Sequence, residues 1–305
     1  MVVVIATSIA LAVWSYPSVV VNGISFLTTS VWDPKLNNPV IAVNGIQTLA
    51  GSSYGVLIFV TGTLLTSGIA LLIGVPSGLG MAIFLTQVAP RKISAPISFL
   101  VELMAGIPSV VFGLWGIIVL GPFLLGTLEP FLATNFAFIP IFSGNSAGLL
   151  SAGIILALMI IPIVTSISRD AMAQTPIQLR DGARALGLTK WEITRQIVLP
   201  NARAGIVGSA VLGLGRALGE SIAVAMVSGI GVQLFPKTLF YPVNTIAAEL
   251  ALSLNVAQQD QSGMNTSALM ELAAVLLAIT VSVNIVARLL VRQGFTSSSE
   301  SVVRI

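Results

Sequence analysis

No cysteine and no histidine occur anywhere in the 305 residues. The first absence rules out a disulfide, a thiolate nucleophile and a cysteine-held zinc, and the second removes the commonest transition-metal ligand. Charge is nearly as scarce: Asp, Glu, Lys and Arg make up 8% of the chain, against about 25% in a soluble domain. With 55% apolar residues and a mean hydropathy of +1.00, the chain has too little charge to face water and reads as an integral membrane protein. The net charge of +3 does not point to nucleic acid, because the 14 basic residues are scattered between apolar runs and build no single face. A phosphate-cradling Gly-x-x-x-x-Gly-Lys-Ser/Thr loop is also missing, so any ATP chemistry belongs to another subunit. No cofactor, no metal and no enzymatic activity of the chain's own are expected.

What is present is a series of apolar runs, each long enough to cross about 30 Å of hydrocarbon, which takes roughly 20 helical residues. They cover residues 2–27, 55–86, 96–121, 146–168, 204–231 and 270–290. The expected fold is all-α, a polytopic bundle of six transmembrane helices. The first run is followed by an outer loop, 28–53, then by a core, 54–295, and a tail, 296–305. The stretch Met1 to Tyr16 carries neither an early basic cluster nor an Ala-x-Ala cleavage signal, so it reads as a span and not as a removable leader. Either the start lies upstream or the first helix begins flush with the membrane. The second run exceeds one upright span and contains Gly74, Pro76, Gly78 and Gly80, which favours a tilt or kink near Pro76. The third carries Glu102 and the sequence Ala105-Gly106-Ile107-Pro108-Ser109, where a helix is expected to break. Residues 122–145, with Pro122, Pro130 and Pro140, read as a loop.

Orientation follows from the basic residues. With both termini in the cytoplasm, the segments facing it hold Arg91 and Lys92, six residues between 169 and 203, and Arg288, Arg292 and Arg304. The three outer segments hold only Lys35 and Lys237, an asymmetry that supports this topology.

The segment 169–203 contains apolar residues at helical spacing. Pro176 suits the first turn of a helix over 177–186, Gly187 suits its end, and Thr189 with Glu192 three residues later makes a capping box for a second short helix that Pro200 would close. An ordinary basic loop that fixes orientation is one reading. A pair of short helices docking on a partner is the other, favoured because apolar side chains in a cytoplasmic loop need a place to be buried.

The pattern Asp181-Gly182-Ala183, then Gly187, Ile197 and Leu199-Pro200, resembles the cytoplasmic signature of bacterial ABC importer permeases, where this element couples to the ATPase. The family's usual Glu-Ala is here Asp-Gly, which keeps the acid and weakens the helix by about 1 kcal/mol. Three further stretches are similar to the permease of the high-affinity phosphate importer, in its PstC form: Gly62-Thr63-Leu64-Leu65, Glu102 with Ala105 to Gly113, and Gly213 to Glu220. The resemblance runs from about residue 24 to 292. It implies a type I importer permease in the bacterial plasma (inner) membrane, paired with a related sister permease, driven by two cytoplasmic ATP-binding subunits and supplied with phosphate by an extracytoplasmic binding protein. A permease for molybdate or sulfate, and a non-transporting scaffold or sensor, are the alternatives.

Three ionisable residues fall within the expected spans: Glu102, Arg216 and Glu220. Charge inside a bilayer normally faces the bundle interior or a pathway. One expectation is an Arg216–Glu220 pair, one turn apart, that only holds the fold. The other is that Arg216 lends positive potential to an anion path, with Glu220 and Glu102 as alternating partners. Gly106, Pro108 and Ser109 are candidates for a gate, and Gly106, Gly113, Gly116, Gly208, Gly213, Gly215 and Gly219 for close helix approach.

Overall fold

The computed structural model describes residues 2–136, 140–142, 144, 148–229 and 235–299. The end of the expected tail, with Arg304, lies outside these residues. The described residues are mostly helical, with one hairpin. Besides single turns at Ser25–Thr28 and Pro140–Phe142, the helices are α1 (Val2–Asn22), α2 (Leu57–Val88, ending in a π-helical turn), α3 (Arg91–Ala105), α4 (Ser109–Asn135), α5 (Gly148–Ala173), α6 (Ile177–Ala185), α7 (Lys190–Gly219), α8 (Ile222–Val227), α9 (Ile246–Ala257) and α10 (Met264–Ser299). Six of them, α1, α2, α4, α5, α7 and the Met264–Val286 part of α10, are long and apolar enough to cross a membrane.

Several boundaries differ from those read in the sequence. The third span is Ser109–Asn135; the run expected over 96–121 is divided at Gly106–Pro108, and its first part belongs to α3, a separate amphipathic helix. The expected loop 122–145 is helical as far as Asn135. Pro200 does not close a short helix, because α7 continues through it. The helical continuation past Pro122, Pro130 and Pro200 has one cause. The described residues contain four π-helical turns, Phe84–Val88, Gly116–Leu120, Leu124–Leu128 and Thr194–Val198, and each ends two residues before a proline: Pro90, Pro122, Pro130 and Pro200. A proline lacks the N–H of the regular ladder and its ring strikes the carbonyl four residues back. Widening the preceding turn relieves that clash, so the helix passes Pro122, Pro130 and Pro200, whereas at Pro90 the chain is extended and α2 ends.

The chain divides into two compact units, one of residues 1–68, 109–155 and 218–280, the other of 69–108, 156–217 and 281–305. In the first, the segment between α1 and α2 forms β1 (Val40–Val43) and β2 (Ile46–Leu49), antiparallel and joined by Asn44-Gly45. Both turn residues have positive φ, +53° and +79°, as a two-residue hairpin requires. Trp32 of the same segment packs edge-on against Phe26, Tyr54 and Phe59, with centroids 5.1 to 6.4 Å apart. On α1 the only buried side chains are Ser15 and Ser18, while its apolar residues face outward, the pattern of a helix solvated by lipid or by another subunit. The start of α9 is tied to α2, since Thr63 Oγ1 accepts the Ile246 N–H at 3.0 Å.

In the second unit α2 lies close to α5. A Cβ on Gly74 would stand 2.6 Å from Ile160, one on Gly78 2.8 Å from Val164, and the Thr165 hydroxyl donates to the Gly78 carbonyl at 3.2 Å. Buried hydroxyls of Ser168 and Ser209 bond α5 to α7 at 3.0 Å. Such small and hydroxylated contacts are how helices associate where solvent is as apolar as their side chains.

Candidate functional site

The signature read in 181–200 assembles into one small structure. Helix α6 starts after Pro176 and ends in a Schellman motif, with the Gly187 N–H on the Arg184 carbonyl at 2.9 Å and the Leu188 N–H on the Ala183 carbonyl at 3.1 Å. Gly187 adopts φ +82° there, a conformation that glycine takes at little cost. Thr189 then caps α7: its Oγ1 accepts the Glu192 N–H at 3.3 Å and the Glu192 carboxylate accepts the Thr189 N–H at 2.7 Å. Ala183 is buried with Ala82, Met172, Ile193, Val198 and Ala202, and Ile197 and Leu199 pack against them. The guanidinium of Arg180 holds α6 to the end of α5 by donating to the Met172 carbonyl at 2.6 Å. Asp181 pairs with Arg184 at 2.7 Å on the exposed side, where Gly182 meets open space.

With this inner face anchored, the outer face of the segment has no cover. Leu186 is 82% exposed and Trp191 61%, with Ile177 and Leu179 also exposed. Four apolar side chains so placed mark a surface made for contact. Beside it an open cavity of about 460 Å³, lined by polar and apolar residues alike, lies among Ile167, Asp170, Gln174, Thr175, Pro176 and Asn201.

The intramembrane charges are placed differently from the expectation. Glu102 is not inside a span. It sits near the end of α3, more than half exposed, and its Oε1 meets Nη2 of Arg169 at 3.0 Å. A partner 67 residues away in sequence carries no local signal, so Arg169 was counted only as a loop cation. Arg216 lies within α7, exposed, with neither an ion pair nor a hydrogen bond among the described residues. Glu220 follows the end of α7, and its carboxylate accepts the Ala223 N–H at 3.4 Å, at the start of α8. An acid at the positive end of a helix is favoured by the N–H groups there.

The spans read as 96–121 and 204–231 are therefore both discontinuous, at Gly106–Pro108 and at Glu220–Ser221. Ser109 begins α4. Downstream of the breaks, α4 and α8 pack closely: a Cβ on Gly113 would come within 2.7 Å of Met226 Sδ and 3.2 Å of Ala223 Cα, and one on Gly116 within 2.6 Å of Val227. Gly213 is in ordinary contact with Ile160, and Gly208, Gly215 and Gly219 face open space. Gly106 meets only the carbonyl of Leu103 in its own turn.

Residues 74–293 match the model of the binding-protein-dependent transport system inner membrane components. The chain belongs to that family. Phosphate transport system permease proteins are among its relatives: PstC 1 of Mycobacterium tuberculosis is 39% identical over 89% of this chain and 82% of its own. PstC of Haemophilus influenzae is 41% identical over 94% and 86% respectively. Among solved structures, inward-facing MetNI methionine ABC transporter matches with a TM-score of 0.53 at 20% identity, over 78% of this chain and 96% of that one. A bacterial ABC transporter importing alginate matches with 0.53 at 19%, over 76% and 78%. At such identities the structures speak for the fold, a type I ABC importer permease bundle. This inner membrane component is thus a multi-pass membrane protein whose family match takes in α3 to α9, the segment 169–203 and both helix breaks.

Proposed function

We propose that this chain is the permease subunit of an ATP-driven phosphate importer, lining half of the translocation path while a related sister permease lines the other half. Arg216 carries the reading. Its guanidinium is exposed within an apolar helix and unpaired among the described residues, and a bare charge in hydrocarbon costs at least about 2.5 kcal/mol. The face that bears it must therefore meet protein or water. Gly208, Leu212 and Gly215 lie on the same helix at helical spacing, the leucine exposed and both glycines opening onto free space. An otherwise uncharged face with two glycines and a single cation suits the wall of a narrow anion path. A guanidinium can grip two phosphate oxygens with parallel donors, and a site that attracts the anion without an enclosing set of charges lets it leave.

In this reading both termini are cytoplasmic, and the chain resides in the bacterial plasma membrane. An extracytoplasmic phosphate-binding protein delivers its ligand to the segments that join α1 to α2, α4 to α5 and α8 to α10. Two cytoplasmic ATP-binding subunits engage the exposed side of 177–191, including Asp181 and Gly182, while Ala183, Ile197 and Leu199 hold that element to the bundle, Gly187 sets its turn and Pro200 lies where α7 continues toward the membrane. The discontinuities at Gly106, Pro108 and Ser109 and at Glu220 are where the path opens and closes.

The test is reconstitution with the ATP-binding subunits, the sister permease and the binding protein in vesicles, followed by uptake of labelled phosphate with sulfate and molybdate as competitors. Uptake requires ATP, and Arg216→Gln lowers it by about tenfold to a hundredfold, the worth of a hydrogen bond to a charged group, with the complex still assembled. Flux without ATP would sink the mechanism. Equal uptake of sulfate would sink the substrate assignment, and full uptake by Arg216→Gln would remove Arg216 from the path.

A further inference from the structure

The ion pair between Glu102 and Arg169 plays no part in the path described above, and its placement gives it another use. Helix α3 buries a single side chain, Val101, so apolar packing holds it weakly. Its polar attachments stand toward its two ends. Near the start, the Ser94 hydroxyl donates to the Leu85 carbonyl of α2 at 2.8 Å. Near the finish, Glu102 meets Arg169 at 3.0 Å, four residues before the helix breaks at Gly106. Arg169 is itself fixed, because Nε and Nη2 both reach Oδ1 of Asp170 at 3.1 Å and its side chain is only 23% exposed.

On α5, Arg169 stands three residues before Met172, whose carbonyl receives Arg180 of α6 and whose side chain lies in the small core with Ala183. A displacement of α6 therefore reaches the end of α5 directly, and from there Arg169 and Glu102 form the polar bridge to the end of α3. Glu102, Arg169, Met172, Arg180 and the Gly106–Pro108 break all belong to one compact unit of the chain.

We propose that Glu102 and Arg169 are a positioning pair that passes the movement of the 177–185 helix to the Gly106–Pro108 break, so that ATP turnover is converted into opening of the path. The idea rests on the transport function proposed above. Neither residue touches the transported ion in this scheme. Removing either leaves the ATP-binding subunits able to hydrolyse ATP while the break no longer follows.

The experiment uses the complete complex in vesicles and measures labelled phosphate moved per ATP hydrolysed for the wild type, Glu102→Gln, Arg169→Gln and the double variant, with Glu102→Asp as the charge-conserving control. Wild-type vesicles that move no phosphate with ATP would refute the function itself, before any variant is compared. With the wild type active, each single neutral variant lowers the ratio by about fivefold or more, the usual scale of coupling between sites, with ATP hydrolysis within about twofold of the wild type. The double variant is no worse than either single one, as for two groups acting through one bond, and Glu102→Asp keeps the wild-type ratio. An unchanged ratio overturns the proposal. So do uptake and hydrolysis that fall together, the mark of a structural role, and losses that add in the double variant.

Discussion

Gly62 and Gly68 lie six residues apart on α2 and offer a controlled measurement of how closely the chain is packed. A methyl group on Gly62 would be placed 2.0 Å from the carbonyl oxygen of Asn244 and 2.8 Å from Val243, whereas one on Gly68 meets nothing within 4 Å. The obstruction at Gly62 is backbone, held by its surroundings: Asn244 donates to the buried carboxylate of Glu249 at 2.6 Å, and the Ile246 N–H is on Thr63 at 3.0 Å. A rotamer change cannot relieve it. The start of α9 must move away by about 1.4 Å to reach an ordinary contact, and forced shifts of that kind cost about 1–3 kcal/mol, occasionally more. At Gly68 the same substitution only exchanges glycine for a better helix former, a gain of up to about 1 kcal/mol. Thermal unfolding of the two purified variants should separate them, with Gly62→Ala lowered by roughly 5 °C or more and Gly68→Ala level with the wild type or slightly above it. Equal shifts in both would refute the close approach of α2 to the Val243–Asn244 backbone.

Two further outcomes are expected. Gly187→Ala places a side chain at φ +82°, costing about 1–2 kcal/mol; hydrogen exchange should report faster opening of residues 183–190, with α10 unaffected. Tyr54, outside the spans, has its hydroxyl pushed well above the ordinary tyrosine range by burial and then by the charge of Asp260. Because the folded value is the higher, the stability this group contributes is complete below about pH 10 and is lost as the pH rises through its folded pKa. Fluorescence of Trp32, whose ring lies 5.1 Å from that of Tyr54, should therefore change in strong alkali, and Tyr54→Phe should abolish the change.

The features legible in the sequence were those with local causes. Six apolar runs announced the spans, and Pro176, Gly187 and the Thr189 and Glu192 pair marked the ends of two helices by chemistry confined to four or five residues. The tilt or kink anticipated near Pro76 is a matter of degree within a helix that continues through that residue. What escaped depends on partners distant in the chain. Glu102 looked intramembrane because apolar residues surround it, and only the fold brings Arg169 to it. The expectation of an Arg216–Glu220 pair rested on a continuous helix, yet α7 ends at Gly219 and the carboxylate of Glu220 finds the Ala223 N–H instead. Whether a glycine lies at a close approach was equally hidden: Gly113 and Gly116 do, while Gly208 and Gly215, in the same composition, meet open space.

The π-helical turns ahead of the prolines bear on how α4 is to be read. Each wide turn accommodates one residue more than an α-helical turn, so side chains beyond it lag by about 100°. Two of them occur between Gly116 and Leu128, and the lag therefore accumulates to about 200° by the end of α4. A helical wheel drawn straight from Gly113 to Asn135 would assign the last turns to nearly the opposite side. Spin labels or lipid-exposure probes placed along this helix should follow a phase that slips twice, and the surface it offers to its neighbours winds around the axis instead of running along it.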